Sequence, residues 1–149
     1  MPDQWMIREA KESDLLPLLR LYLHLHETKL PDQDDRLIGV WQSILSDENH
    51  HVIVSEVEKN VVASCVCVVI PNLTRNARPY ALIENVVTHP DFRRQGHATA
   101  CLRAAEKIAR ARNCYKIMLL TGAKDEGTLQ FYRNAGYNSS DKTAFIEWL

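Results

Sequence analysis

No stretch of this chain is apolar for long enough to cross a bilayer. "VVASCVCVVI", among its longest apolar runs, stops at ten residues, whereas a spanning helix needs about 20. The opening "MPDQWMIREA" lacks the charged, apolar and small-residue zones of a signal peptide, so a cytoplasmic location is the expectation. Net charge is nearly absent too. Eighteen Lys and Arg against nineteen Asp and Glu leave −1, which argues against a nucleic-acid or membrane-surface partner. Any binding of anions must then come from local placement. Cys65, Cys67, Cys101 and Cys114 form no C-x-x-C pair and have no His or Cys at a finger spacing. Buried free thiols and no metal site are expected. No repeat or linker interrupts the chain; "PNLTRNARP" (71–79) is too short to separate domains. Neither G-x-x-x-x-G-K-[ST] nor a strand followed by G-x-G-x-x-G occurs, which counts against an NTPase or a dinucleotide dehydrogenase.

What is present fits one domain over residues 1–149, with 46% apolar and 25% charged residues. "WMIREA" reads as a strand. In "KESDLLPLLRLYLHLHET", Ser13 and Asp14 can cap a helix, Pro17 suits its first turn, and Leu15, Leu18, Leu19, Leu21 and Leu25 recur at helical spacing. "DDRLIGVWQSILSD" predicts a second helix. "HHVIVSEVEKNVVASCVCVVI" predicts two β-branched strands joined by a tight turn at Glu58–Lys59–Asn60. "YALIENVVT" is a fourth strand, and a helix follows from about 96 to 112. "YKIMLLT", apolar throughout, predicts a central strand. "DEGTLQFYRNAG" is a helix stopped by Gly136, and "TAFIEWL" a last strand. This order predicts an α/β (α+β) sandwich with a mixed sheet.

The most informative stretch is "HPDFRRQGHATACLRAAEKIARA", from His89 to Ala111. Helices commonly begin with a small capping residue and acidic side chains. This one begins with two arginines and a glycine. The first N–H groups of a helix lack internal partners and carry the positive end of its dipole. Gly96 and the small Ala98 leave them open, and Arg93 and Arg94 add full charges. A phosphate site follows from these features; so does a solvated basic turn whose glycine serves only conformation.

Arg93-Arg94-Gln95-Gly96-His97-Ala98 matches R/Q-x-x-G-x-G/A, the pyrophosphate motif of the GCN5-related N-acetyltransferases (GNAT), and the chain resembles that family. The motif follows the strand "ALIENVV" and opens a helix, as in the family. "DEGTLQFYRNAGY" resembles the family's closing signature, with Asp125 for the usual Asn, Thr128 for Ala and Tyr137 for Phe. "IREAKESDL" resembles its first strand and helix. The resemblance implies a mostly antiparallel mixed sheet of six to seven strands with about four helices, splayed between the fourth and fifth strands. It implies acetyl-CoA as acetyl donor. Val86 and Val87 would pair with the pantetheine arm, and backbone N–H groups from Arg94 through Gln95, Gly96, His97 and Ala98 to Thr99 would hold the pyrophosphate, with Arg93 and Arg94 assisting. Asp125 and Phe131 would complete the cofactor site.

Tyr132 aligns with the family's general acid. A phenol with a pKa near ~10 stays protonated at neutral pH and can protonate the leaving thiolate; packing beside Phe131 is the plainer role. Glu84 interrupts an apolar strand and is the candidate base, with a water chain or a mere salt bridge as alternatives. Asn85 would point to the opposite face unless a bulge intervenes. The acceptor site would draw on Tyr22, His24 and His26, and on Arg75, Arg78 and Tyr80 before the fourth strand; solvated loop side chains fit these residues as well. The implied activity is acetyl transfer to a primary amine of a small molecule by direct attack in a ternary complex. A protein (lysine or N-terminal) acetyltransferase and a non-catalytic acyl-CoA-binding module are the alternatives. Dimers are common among similar proteins, so the resemblance also implies a homodimer, across whose interface "TAFIEWL" could pair or pack.

Overall fold

The strand-like segments pair in chain order. A computed structural model describes residues 5–149; the first four, which belong to the stretch read for a leader, lie outside the described residues. Its strands are β1 (Trp5–Glu9), β2 (His50–Val57), β3 (Asn60–Ile70), β4 (Tyr80–Thr88) and β5 (Ile117–Leu119). The sheet runs β1-β2-β3-β4-β5. The first three pairings are antiparallel, and β4 pairs with β5 in parallel. Glu58 and Lys59 carry positive φ, 47° and 68°, as a two-residue hairpin turn between right-twisted strands needs. The expected turn is therefore the one that forms.

The helices are α1 (Leu15–Tyr22), α2 (Asp35–Ser46), α3 (Thr74–Ala77), α4 (His97–Ala111) and α5 (Glu126–Asn134). β2 and β3 are buried on both faces, as their β-branched runs require. Ile53, Ala63, Cys65, Ala81 and Ile83 pack under Cys101, Leu102 and Ala105 of α4. On the other face Val52, Val54 and Val66 meet Leu18 of α1 and Trp41 of α2. One mixed α/β sandwich results.

Three expectations are corrected. Among the described residues the sheet has five strands, not six to seven. "TAFIEWL" is exposed throughout and joins no strand, because nothing among the described residues pairs with its backbone. "YKIMLLT" forms a short edge strand rather than a central one, because only Ile117–Leu119 reaches β4. Among the described residues the α-helices number five, because 71–79 contains a single turn, α3; its Arg75, Asn76 and Ala77 are left-handed, at φ 56°, 61° and 58°.

Charge ties β1 to the start of α1. Arg8 bridges Asp14 at 2.7 Å and Glu56 of β2 at 2.6 Å. Asp14, read from sequence as a helix cap, is buried and accepts instead from the Lys11 N–H at 2.8 Å. Burial alone would raise its pKa, but the bonds from Arg8 and Lys11 hold it below the ordinary carboxylate value. This contribution is present above about pH 4 and fades as pH falls through the lowered value. Arg8→Met strands a buried carboxylate. It should cost about 3 kcal/mol in urea unfolding at neutral pH, and the deficit should shrink below about pH 4.

Candidate active site

β4 and β5 hold one another only at Ala81–Ile117, Leu82–Met118 and Ile83–Leu119. Beyond Ile83, β4 runs on to Thr88 without β5. A bulge marks the parting. Glu84 faces Val66 and Val87 faces Ser64, so Asn85 and Val86 oppose the single Cys65; Asn85 sits at φ 53°. The extra residue bends the strand and shifts its phase. Ala81 and Ile83 pack toward α4 before the bulge, and Val86 does so after it. The result is a cleft of about 710 Å³ between the far half of β4, the start of α4, α5 and the loop after α1.

One wall is the N-terminus of α4. The first bond closing the helix runs from the Ala100 N–H to the Gly96 carbonyl at 3.0 Å, which leaves the earlier N–H groups for the cleft. Gly96 caps the helix at φ 92°, a conformation that disfavours any residue with a Cβ. A Cβ there would meet no other part of the chain within 4 Å, so backbone conformation and the open cleft, not crowding, demand the glycine. Arg93, Arg94, Ala98 and Thr99 line this wall with Val86, Val87 and Thr88. Gln95 is turned back to the Asp91 carbonyl at 3.2 Å and does not line it. His97 is buried, shares a 2.8 Å hydrogen bond between its Nδ1 and Ser55 Oγ, and meets Trp5 edge-on at 4.5 Å. It pins the glycine turn to β2.

The facing wall is α5. Asp125 accepts from the Thr128 N–H at 2.9 Å, the capping role its residue type suggests. Phe131 and Tyr132 line the cleft, their rings 5.1 Å apart. Burial pushes the Tyr132 phenol above its ordinary pKa, so it is a proton donor at neutral pH. Residues of this cleft that sequence reasoning passed over as cofactor contacts are Leu25, Thr88, Phe92, Gly127 and Thr128, together with His24. Gly127 and Thr128 follow the Asp125 cap by spacing alone and were legible; Phe92, in the turn before the glycine, was not.

The acceptor candidates are not all brought together. Glu84 is exposed and lies off the cleft wall. Its cross-strand partner Val66 belongs to the face covered by α1 and α2, where Tyr22 also packs. His26 is exposed on the loop after α1. Arg75, Arg78 and Tyr80 gather at the opposite end of β4. Arg78 donates to the Asn113 and Cys114 carbonyls, both at 3.1 Å, and Arg75 lies over the Tyr115 ring at 5.5 Å. The Lys116 ammonium lies 5.0 Å from the Tyr80 ring. None of the four cysteines lines the cleft. Burial pushes Cys67 to about 11 and Cys101 to about 12, which makes them poor nucleophiles.

The model of the Acetyltransferase (GNAT) family matches residues 15–137. The chain belongs to this family. A glucosamine 6-phosphate N-acetyltransferase of Trypanosoma brucei brucei is 30% identical over 142 residues, covering 91% of this chain and 90% of that one. A solved chain from Agrobacterium tumefaciens str. C58 is 34% identical, with a TM-score of 0.88 over 96% of this chain and 99% of that one. Glucosamine-6-phosphate N-acetyltransferase from Arabidopsis thaliana shares the fold at a TM-score of 0.85 and 20% identity, covering 99% of each chain. GNAT proteins use acetyl-CoA, and the parting of two strands beside a glycine-capped helix is the architecture expected from the resemblance. Among the described residues, no helix of this GNAT chain is long and apolar enough to cross a membrane.

Burial holds the His97 pKa below its ordinary value. The unfolded chain therefore binds the proton more readily, and stability falls as pH drops below about 6.5. Thermal melts from pH 8 down to 5, a window of roughly 1.5 units either side of that value, should show this fall. It should be smaller in His97→Gln.

Proposed function

We propose that the protein transfers the acetyl group of acetyl-CoA to a primary amine of a small molecule, by direct attack in a ternary complex. One observation carries the reading: the unspent N–H groups of the α4 start and the Tyr132 phenol open onto the same cleft. The N–H groups from Arg94 to Thr99 hold the pyrophosphate, with Arg93 and Arg94 adding charge. Val86 and Val87, freed from β5, offer backbone groups to the pantetheine arm. Phe131 packs beside it, and Asp125 acts through the helix cap. The bound thioester supplies an activated acetyl carbon and a sulfur leaving group.

The chain's residues then manage two protons. The amine attacks the acetyl carbon, the carbon–sulfur bond breaks, and Tyr132 gives its proton to the sulfur. Glu84, directly or through water, takes the proton released by the amine; its place on the sheet face shared with Tyr22 suits it to an acceptor entering beside α1. Tyr22 and His26 are the acceptor contacts this reading retains, since Arg75, Arg78 and Tyr80 are engaged elsewhere. A phosphorylated amino sugar is the first acceptor to test, given the name of the relative at 30% identity.

Thiol release from acetyl-CoA, followed over a panel of amino sugars, aminoglycosides and lysine peptides, tests the proposal. Tyr132→Phe should lower kcat by about 100-fold or more while acetyl-CoA binding changes little. Binding without turnover on any amine would support the non-catalytic alternative, and turnover confined to peptides the protein acetyltransferase. Separately, Gly96→Asp sets a side chain and a negative charge where the pyrophosphate is proposed and forces an L residue to φ 92°. Calorimetry should register at least a tenfold loss of acetyl-CoA affinity; unchanged affinity would refute the placement.

A further inference from the structure

The fold buries a titratable ring at the start of α4. His97 is the first residue of that helix, is 3% exposed, and belongs to the cleft lining. Three uncharged side chains hold the ring. Trp5 of β1 meets it edge-on at 4.5 Å, Phe92 stands at 6.0 Å, and the Ser55 hydroxyl of β2 lies 2.8 Å from Nδ1. Ser55 is itself fully buried. A hydroxyl partner works in both directions: it donates to a bare ring nitrogen and accepts from a protonated one. A carbonyl would serve only the protonated nitrogen. The ring can therefore gain a proton without losing this bond. The charged or titratable groups that share the cleft with it are His24, Arg93, Arg94, Asp125 and Tyr132. Glu56, next to Ser55 on β2, is paired with Arg8 at 2.6 Å, and Asp125 is engaged by the Thr128 N–H. In the free protein burial disfavours the charged ring, and the positive end of the helix opposes it further.

We propose that His97 is a proton-coupled part of the anion wall: a diphosphate ester settling on the start of α4 draws a proton onto this ring, so that its affinity rises as pH falls. The inference rests on the pyrophosphate placement proposed above. Negative charge brought to the helix end reverses the local field. Nearby charge of that sign favours an imidazolium, and a water-poor site strengthens the effect. The ring then titrates below its ordinary value of ~6.5 in the free protein and above it in the complex. Between those two values, binding takes up a proton from solvent and release returns it. Affinity is greatest below the lower value and falls as pH rises through the higher one. The N–H groups, the dipole and the arginines hold the anion at any pH; His97 makes the hold depend on pH.

Calorimetry with acetyl-dephospho-CoA is the test. This ligand keeps the diphosphate and lacks the 3′-phosphate, whose own second ionisation near ~6 would enter the proton count. Titrations from about pH 5.5 to 8.5, in buffers of different ionisation enthalpy, should show uptake of part of a proton, largest near about pH 6.5 and absent at the top of the range. Affinity should fall at least about tenfold across that range, the equivalent of one pKa unit. His97→Gln, whose amide can still bond to Ser55, should bind without proton uptake. Nitrogen–proton correlation spectra of the wild-type imidazoles need no variant: the His97 ring should titrate below about pH 6.5 alone and above it with ligand. Binding without uptake, uptake retained in His97→Gln, or a His97 titration that the ligand does not raise would each overturn the inference and leave the cofactor site standing. No binding at any pH would overturn the pyrophosphate placement as well.

Discussion

Everything functional in this molecule depends on where β4 lets go of β5. The two strands hold at Ile83–Leu119 and separate one residue later, where the bulge at Asn85 begins. A straight β4 would continue the ladder, spend its backbone groups on β5 and close the cleft. A bulged β4 bends away and presents unpaired backbone to the gap. The strain of holding Asn85 at positive φ is offset by pairing on β3 either side of it. The parting is therefore built into the sheet rather than into a loop, and it sets the distance between the two cleft walls.

Those walls do different electrostatic jobs with little charge. The molecule as a whole is near neutral, so it has no long-range pull on anions. The start of α4 concentrates positive potential locally through free N–H groups, the helix dipole and two arginines. Its geometry needs Gly96 at φ 92° and a buried His97 tied to Ser55, so the anion wall is fixed through the core. The opposite wall offers a neutral proton donor. Burial, which penalises the phenolate, keeps Tyr132 protonated. On the proposed reading, an anion site and an acid can share one cleft because the acid is uncharged.

Much of this was legible in the sequence because it is local. "RRQGHA" before a helix, "EKN" between β-branched runs and Asp125 before "EGT" each act over a few residues, and the chain folds there as the local rules require. The features that misled are long-range. Arg78 looked like a free cation, but it is claimed by carbonyls at Asn113 and Cys114, which the sequence places far away. Glu84 and Asn85 could not be assigned to faces by alternation, because a bulge resets the count. The apolar "YKIMLLT" and "TAFIEWL" suggested interior strands by composition, but the first reaches β4 over only three residues and the second joins no strand among the described residues.

The flank that carries Tyr132 is also thinly buried. α4 sets five residues in the core, whereas α5 sets none. α5 is held by its cap at Asp125, by the turn at Gly136, and by the half-buried aromatic series Phe131, Tyr132 and Tyr137. Few buried contacts mean low local stability. On the proposed reading, the anion wall is thus tied through the sheet, while the acid wall rests on a short helix that sets no residue in the core.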